Sequence, residues 1–165
     1  MKVWIDLISG DEMVSDSYPH TLIFNDACLE VQAKYKTKGV EQIAIASDDI
    51  IEDDGTGETI VDIVDCFKLN EIQITKKDFM TIVKVILKTT SEKLTSSGKE
   101  ARIDEFKKGA TDMVKFVISK FDEFQFYTGA SYNMEAGIAL SYQKNQEDEG
   151  PTFLFFNDIM KEEKF

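Results

Sequence analysis

TKKDFMTIVKVILKTTSEKLTSSGKEARIDEFKKGATDMVKFVISKF, residues 75–121, reads as two helices joined by a short turn. Phe79, Ile82, Val83, Ile86, Leu87 and Leu94 recur at three- and four-residue steps, which places them on one helix face. Ile103, Phe106, Ala110, Met113, Val114, Val117, Ile118 and Phe121 do the same. Each run opens on a capping-box pattern, Thr75-Lys-Lys-Asp78 and Ser97-Gly-Lys-Glu100, in which hydroxyl and carboxylate meet amides that a first helical turn leaves unsatisfied. Leu94-Thr-Ser-Ser-Gly98 between them is too short for anything but an antiparallel hairpin. Gly109 beside Ala110 predicts the close approach of a neighbouring backbone.

The hairpin also differs in charge from everything around it. Residues 76–120 hold eleven Lys or Arg against six Asp or Glu, a charge of +5, while the rest of the chain is −17 and the whole −12. Lysines on an exposed helix face are by themselves only a solvated surface. A net charge this negative argues against nucleic acid or an anionic membrane as the main partner. The acidic body suits cations, metal ions included, and only the hairpin suits an acidic partner.

The 165 residues suffice for one domain with a core, to which 12 Phe, 5 Tyr and 1 Trp give bulk. Cys28 and Cys66 stand far apart with no Cys-x-x-Cys, so neither a zinc knuckle nor a dithiol redox motif is present, and both read as reduced core thiols. Asp6 interrupts an N-terminal apolar run already too short for a signal peptide, and no stretch approaches the ~20 apolar residues of a membrane span. A cytoplasmic protein is expected.

Outward from the hairpin, the sequence alternates as strands do. Val3, Ile5 and Leu7 against Trp4, Asp6 and Ile8 predict a strand ending at Ser9-Gly10, and residues 11–19 a loop. Residues 22–24 and 29–35 predict two strands, and 43–46 offers a short one. Residues 47–58 hold six carboxylates and two glycines, the composition of a mobile acidic loop. Residues 59–67 and 69–75 read as strands before the hairpin, and 123–128, 136–142 and 152–156 as strands after it. Strands, helical hairpin, strands is an α+β order, with the hairpin inserted into one sheet system of a single domain.

Little here points to catalysis. His20 is the only histidine, beside Pro19 at a turn, with no serine elbow, phosphate loop or Cys-His signature to join it. Calcium is the metal candidate, since hard cations take several oxygens at once, and Asp48, Asp49, Glu52, Asp53, Asp54 and Glu58 are the densest cluster. The EF-hand pattern fails: with Asp54-Gly55 in register, its first position falls on Ile50 and its twelfth on Val61. Any calcium binding there is expected to be weak. Asp11, Glu12 and Asp16 share one loop, and nothing marks a substrate pocket beside them.

Asp6-Leu-Ile-Ser-Gly-Asp-Glu-Met-Val-Ser-Asp-Ser-Tyr18 resembles the N-terminal signature of the translationally controlled tumour proteins, DLIS-x-DEM-x-SD-x-Y. Val61-Asp-Ile-Val64, Thr75-Lys76, Gly109-Ala110, Phe126-Tyr-Thr-Gly129 and Phe155-Phe-Asn-Asp158 follow in the order that family requires, and Met160-Lys-Glu-Glu-Lys164 is similar to its ending. The resemblance implies a twisted antiparallel β-tent core, similar to the Mss4-type guanine-nucleotide-free chaperones, with a protruding α-helical hairpin and a mobile acidic loop. It implies a non-enzymatic cytosolic regulator supporting growth and survival, which binds calcium and tubulin or microtubules and contacts a small GTPase of the Rheb type, with a disputed role in nucleotide exchange.

Carried onto this chain, Glu12 matches the glutamate of DEM implicated in GTPase contact, and Asp11 and Asp16 lie in the same signature. The family's tubulin-associating region corresponds to the hairpin, so Lys77, Lys84, Lys88, Lys107, Lys108 and Lys115 become candidates through their charge. The sequence departs from the family in three places. The loop signature Gly-Gly-Asn-x-Ser-x-Glu is missing from 47–58, Gly129-Ala130 replaces Gly-Glu, and Phe165 stands where many animal members end in Cys. A monomer without a terminal disulfide is expected, with non-classical secretion a further option. A second class stays open, a small-molecule or client-binding chaperone that uses an apolar cleft between the β sheets.

Overall fold

The structure, a computed structural model, describes residues 1–37 and 59–164. In chain order come β1 (Lys2–Asp6), β2 (Glu12–Ser15), β3 (His20–Ile23), β4 (Cys28–Gln32), β5 (Tyr35–Thr37), β6 (Thr59–Val61), α1 (Asp62–Phe67), β7 (Asn70–Ile72), α2 (Lys76–Ser96), α3 (Ile103–Ser119), β8 (Gln125–Thr128), β9 (Ala139–Tyr142), β10 (Thr152–Phe156) and β11 (Met160–Lys164). Short 3-10 turns at Glu100–Arg102, Phe121–Glu123 and Asn157–Ile159 link them.

Among the described residues three antiparallel sheets result: β11-β1-β2, the larger β3-β4-β10-β9-β8-β7, and the pair β5-β6. The larger sheet is built on β10, Thr-Phe-Leu-Phe-Phe, whose five residues are all buried. Such an unbroken apolar run belongs to a strand covered on both faces. Phe153 pairs with Val31 on one side and Ser141 on the other, so the aromatic strand lies between β4 and β9.

The hairpin is fastened to this sheet by aromatic rings. Phe79 of α2 is fully buried and lies 5.4 Å from Phe126 of β8 and 6.1 Å from Phe121. Phe116 of α3 meets Tyr142 of β9 edge-on at 5.6 Å and Phe124 at 6.1 Å. Gly109 is the predicted point of close approach. A Cβ there would strike the backbone carbonyl of Phe24 and the methyl of Ala27, so only hydrogen fits. The far end is tied down as well, because Arg102 donates from Nε and Nη2 to the two carboxylate oxygens of Asp158 at 2.9 and 3.0 Å. The hairpin expected to protrude is thus held to the body at both ends.

Several local expectations need correction. Residues 12–15 form a strand where a loop was expected. Met13, Val14 and Ser15 are buried against β1, and a register shift between Trp4 and Ile5 leaves Met13 as the extra residue, which breaks the strict alternation. Residues 59–67 split into β6 and α1. The helix buries Ile63 while leaving Asp62 and Asp65 at its first turn, and Lys68 in the left-handed region, φ 57°, ends it.

The Thr75–Asp78 capping box forms as predicted, whereas the Ser97–Glu100 box does not. The Ser97 hydroxyl donates back to the Lys93 carbonyl at 2.7 Å, finishing α2 instead of starting α3. The charged tail forms β11, an edge strand whose pairing with β1 supplies the order that its side chains do not. Cys28 is buried, but Cys66 is exposed and is no core thiol. The proposed strand at 43–46 and the acidic loop at 47–58 lie outside the described residues.

Candidate functional site

The N-terminal signature folds into a corner organised by carboxylates. Asp6, 1% exposed, accepts hydrogen bonds from the amides of Ile8 (2.7 Å), Ser9 (2.9 Å) and Gly137 (2.7 Å). Its own backbone carbonyl accepts from Gly10, whose φ of 78° suits glycine. Asp11 then reaches across to the 129–135 turn, accepting from the Ser131 amide (3.1 Å) and hydroxyl (2.7 Å). A Cβ at position 129 would stand 2.5 Å from the Asp11 carboxylate and 2.9 Å from its Cβ, so a larger residue there has to displace the Asp11 side chain. Asn70 secures the same turn by donating to the Gly129 carbonyl at 2.9 Å.

Of the three signature acids, only Glu12 is free. Its side chain is exposed, with no hydrogen bond or ion pair among the described residues. Asp16 accepts from the Lys2 amide at 3.1 Å at the other end of β2, roughly 13 Å away at the rise of a strand. The structure therefore places Asp11 beside Glu12 and Asp16 apart from both, and it gives Asp11 and Asp16 backbone-holding tasks.

Sequence reasoning missed Tyr132, 56% exposed at a φ of 60°, and Met134, 37% exposed. Both belong to the turn that Asp11 pins. An aromatic residue inside Gly129-Ala-Ser-Tyr-Asn133 was the available signal. Near the start of β3, His20 is exposed and packs edge-on to Trp4 at 5.2 Å, with Nδ1 2.8 Å from the Tyr18 carbonyl. Burial pushes the Tyr18 phenol upward, and the Cys66 thiol and Asp62 add to it.

The hairpin presents a different surface. All ten of its lysines are exposed, and among the described residues none makes an ion pair; Arg102 alone does. Lys77, Lys84 and Lys88 fall on one stripe of α2, seven and four residues apart, as do Lys108 and Lys115 on α3. Lys77 and Lys115 line one cleft at the base of the hairpin, with Lys76, Met80, Val114, Ile118 and Ser119. Because the helices are antiparallel, the two stripes run alongside each other from that cleft toward the tip. Lys107 stands a third of a turn off the α3 stripe.

The calcium candidates Asp48, Asp49, Glu52, Asp53, Asp54 and Glu58 lie outside the described residues. Among those described, no group of three or more His, Cys, Asp or Glu side chains is arranged to hold a metal ion, and no helix is long and apolar enough to cross a membrane. A cavity of about 820 Å³ opens under the hairpin tip, between Trp4, Leu94, Arg102 and Met160. Charged side chains share its walls, and it lies beside the β11-β1-β2 sheet.

Comparison with known proteins bears on the family and the fold. A family model described as translationally controlled tumour protein matches residues 1–161. The translationally-controlled tumor protein homolog 1 of Dictyostelium discoideum is 36% identical, and the homolog of Plasmodium yoelii yoelii 35% identical, each with the full length of both chains covered. Among solved structures, the translationally controlled tumor-associated protein of Schizosaccharomyces pombe superimposes over 100% of both chains with a TM-score of 0.81 at 29% identity.

Proposed function

The chain belongs to the translationally controlled tumour protein family, and on that premise we propose that it is a non-enzymatic regulatory binding protein whose helical hairpin engages acidic protein surfaces, tubulin and microtubules foremost. One observation carries the proposal: ten exposed lysines along the hairpin, eight of them on its two packed helices, with no ion-pair partner among the described residues. Lysines within a Debye length of one another repel, and an acidic partner relieves that repulsion. The hairpin is also held to the body at both ends, so the fold sets the backbone positions that carry these charges. Co-sedimentation with microtubules tests it. The bound fraction is expected to fall steeply from low to physiological salt, as the Debye length shortens toward ~8 Å. Binding indifferent to salt would contradict it.

A second reading concerns the Glu12 corner, where contact with a small GTPase of the Rheb type is proposed. It is supported by the freedom of Glu12, next in sequence to the Asp11 that holds the turn carrying exposed Tyr132 and Met134. Glu12→Val should weaken complex formation and alter nucleotide release. If the native chain neither binds the GTPase nor changes release, this reading is wrong. Weak calcium binding by the 48–58 acids is proposed on charge alone, and amide shifts in an NMR calcium titration would locate it.

A further inference from the structure

We propose that the cleft at the base of the hairpin takes one bulky apolar side chain from an acidic peptide segment of a partner protein. The inference rests on the hairpin reading above and sharpens it from charge to shape. The cleft is about 630 Å³, lies between the first turns of α2 and the last turns of α3, and has Met80, Val114 and Ile118 as its floor. Lys76, Lys77 and Lys115 stand around it.

The floor offers no free polar group, because the Ser119 hydroxyl is turned back onto the Phe116 carbonyl at 2.6 Å. Met80 remains 38% exposed above the otherwise buried core face of α2. Methionine adapts its shape to whatever covers it. An apolar floor made of three side chains in a wide, open cleft covers one face of a side chain such as Phe or Leu, and the cationic rim then selects the sequence around that side chain.

The rim is unbalanced in a way that the fold itself does not require. Lys76 and Lys77 occupy the first two positions of α2, where the helix dipole is positive and lysine is unfavourable. Asp78, the nearest acid in sequence, is spent on the capping box, accepting from the Thr75 amide at 3.1 Å. Carboxylates of a docked segment would meet three unpaired ammonium groups and the helix dipole together. A membrane fits less well, since a lipid surface needs a broad apolar plane and the body of the molecule carries −17.

The test uses the full chain and two fluorescent glutamate-rich peptides, alike except for one central Phe or Ser. The Phe peptide should bind about tenfold more tightly, as expected for burying one aromatic side chain. Met80→Gln, which leaves every lysine in place, should abolish that difference, and the amides of Met80, Val114 and Ile118 should shift on addition of the Phe peptide. Equal binding of both peptides, or a difference that survives Met80→Gln, overturns the cleft and leaves the hairpin reading standing. Failure of both peptides to bind overturns the hairpin reading itself. Phosphatidylserine vesicles that sediment the chain in a Met80-dependent manner would make a lipid the occupant and overturn the peptide proposal.

Discussion

The carboxylate of Asp11 holds the amide and hydroxyl of Ser131, whereas that of Glu12, one residue on, meets only solvent. The two should separate cleanly on mutation. Asp11→Ala frees the 129–135 turn and should cost about 1.5–3 kcal/mol, the range for hydrogen bonds to a charged group. Glu12→Val should leave stability within about 0.5 kcal/mol, as exposed substitutions do, while still affecting partner binding. Urea melts distinguish them. Burial pushes the Tyr142 phenol from its usual 10 up to about 12, with Glu30 and Cys28 adding to the effect. The folded state thus holds this proton more tightly than the unfolded chain. Its contribution to stability is complete below pH 10 and is lost as pH rises through about 12, where the unfolded phenol ionises first. Tyr142→Phe should remove that part of the alkaline fall in melting temperature.

At the scale of elements, the hairpin stands on aromatic contacts at its base and on Arg102–Asp158 at its tip. Phe79→Ala should destabilise by about 3–5 kcal/mol, the range for emptying a buried aromatic site, whereas Arg102→Ala should cost only about 1 kcal/mol because the pair is partly open to water. Thermal denaturation gives the order of the two. Gly109→Ala should cost more than a helix-favouring substitution suggests, since its methyl meets the Phe24 carbonyl. The helices were legible in the sequence because a long 3.6-residue period is hard to imitate, and the Thr75 cap was legible because its pattern is local. The Ser97 cap misled: a serine between two helices serves either end, and proximity to Lys93 decided. Residues 62–67 misled because six residues are too few to tell period two from period 3.6. In β11 the order comes from a partner strand, which side-chain patterning does not record.

For the whole molecule, the sequence showed where charge lies but not which charges are already satisfied. It grouped Asp11, Glu12 and Asp16 by adjacency, and only the fold assigns two of them to backbone amides. It listed lysines by number, and only the packing of α2 on α3 joins Lys77 to Lys115 around an apolar floor. The resulting picture is an acidic β body bearing an unpaired basic face. The central claim is that this face binds acidic protein surfaces. Reversing Lys84, Lys88, Lys107 and Lys108 to Glu turns the hairpin from +5 to −3, four changes of two charges each, without touching the core. The direct measurement is microtubule co-sedimentation of this variant beside the native chain at low salt, with circular dichroism confirming that both are folded. Loss of the variant from the pellet while the native chain remains is the predicted result; equal sedimentation of the two would contradict the account.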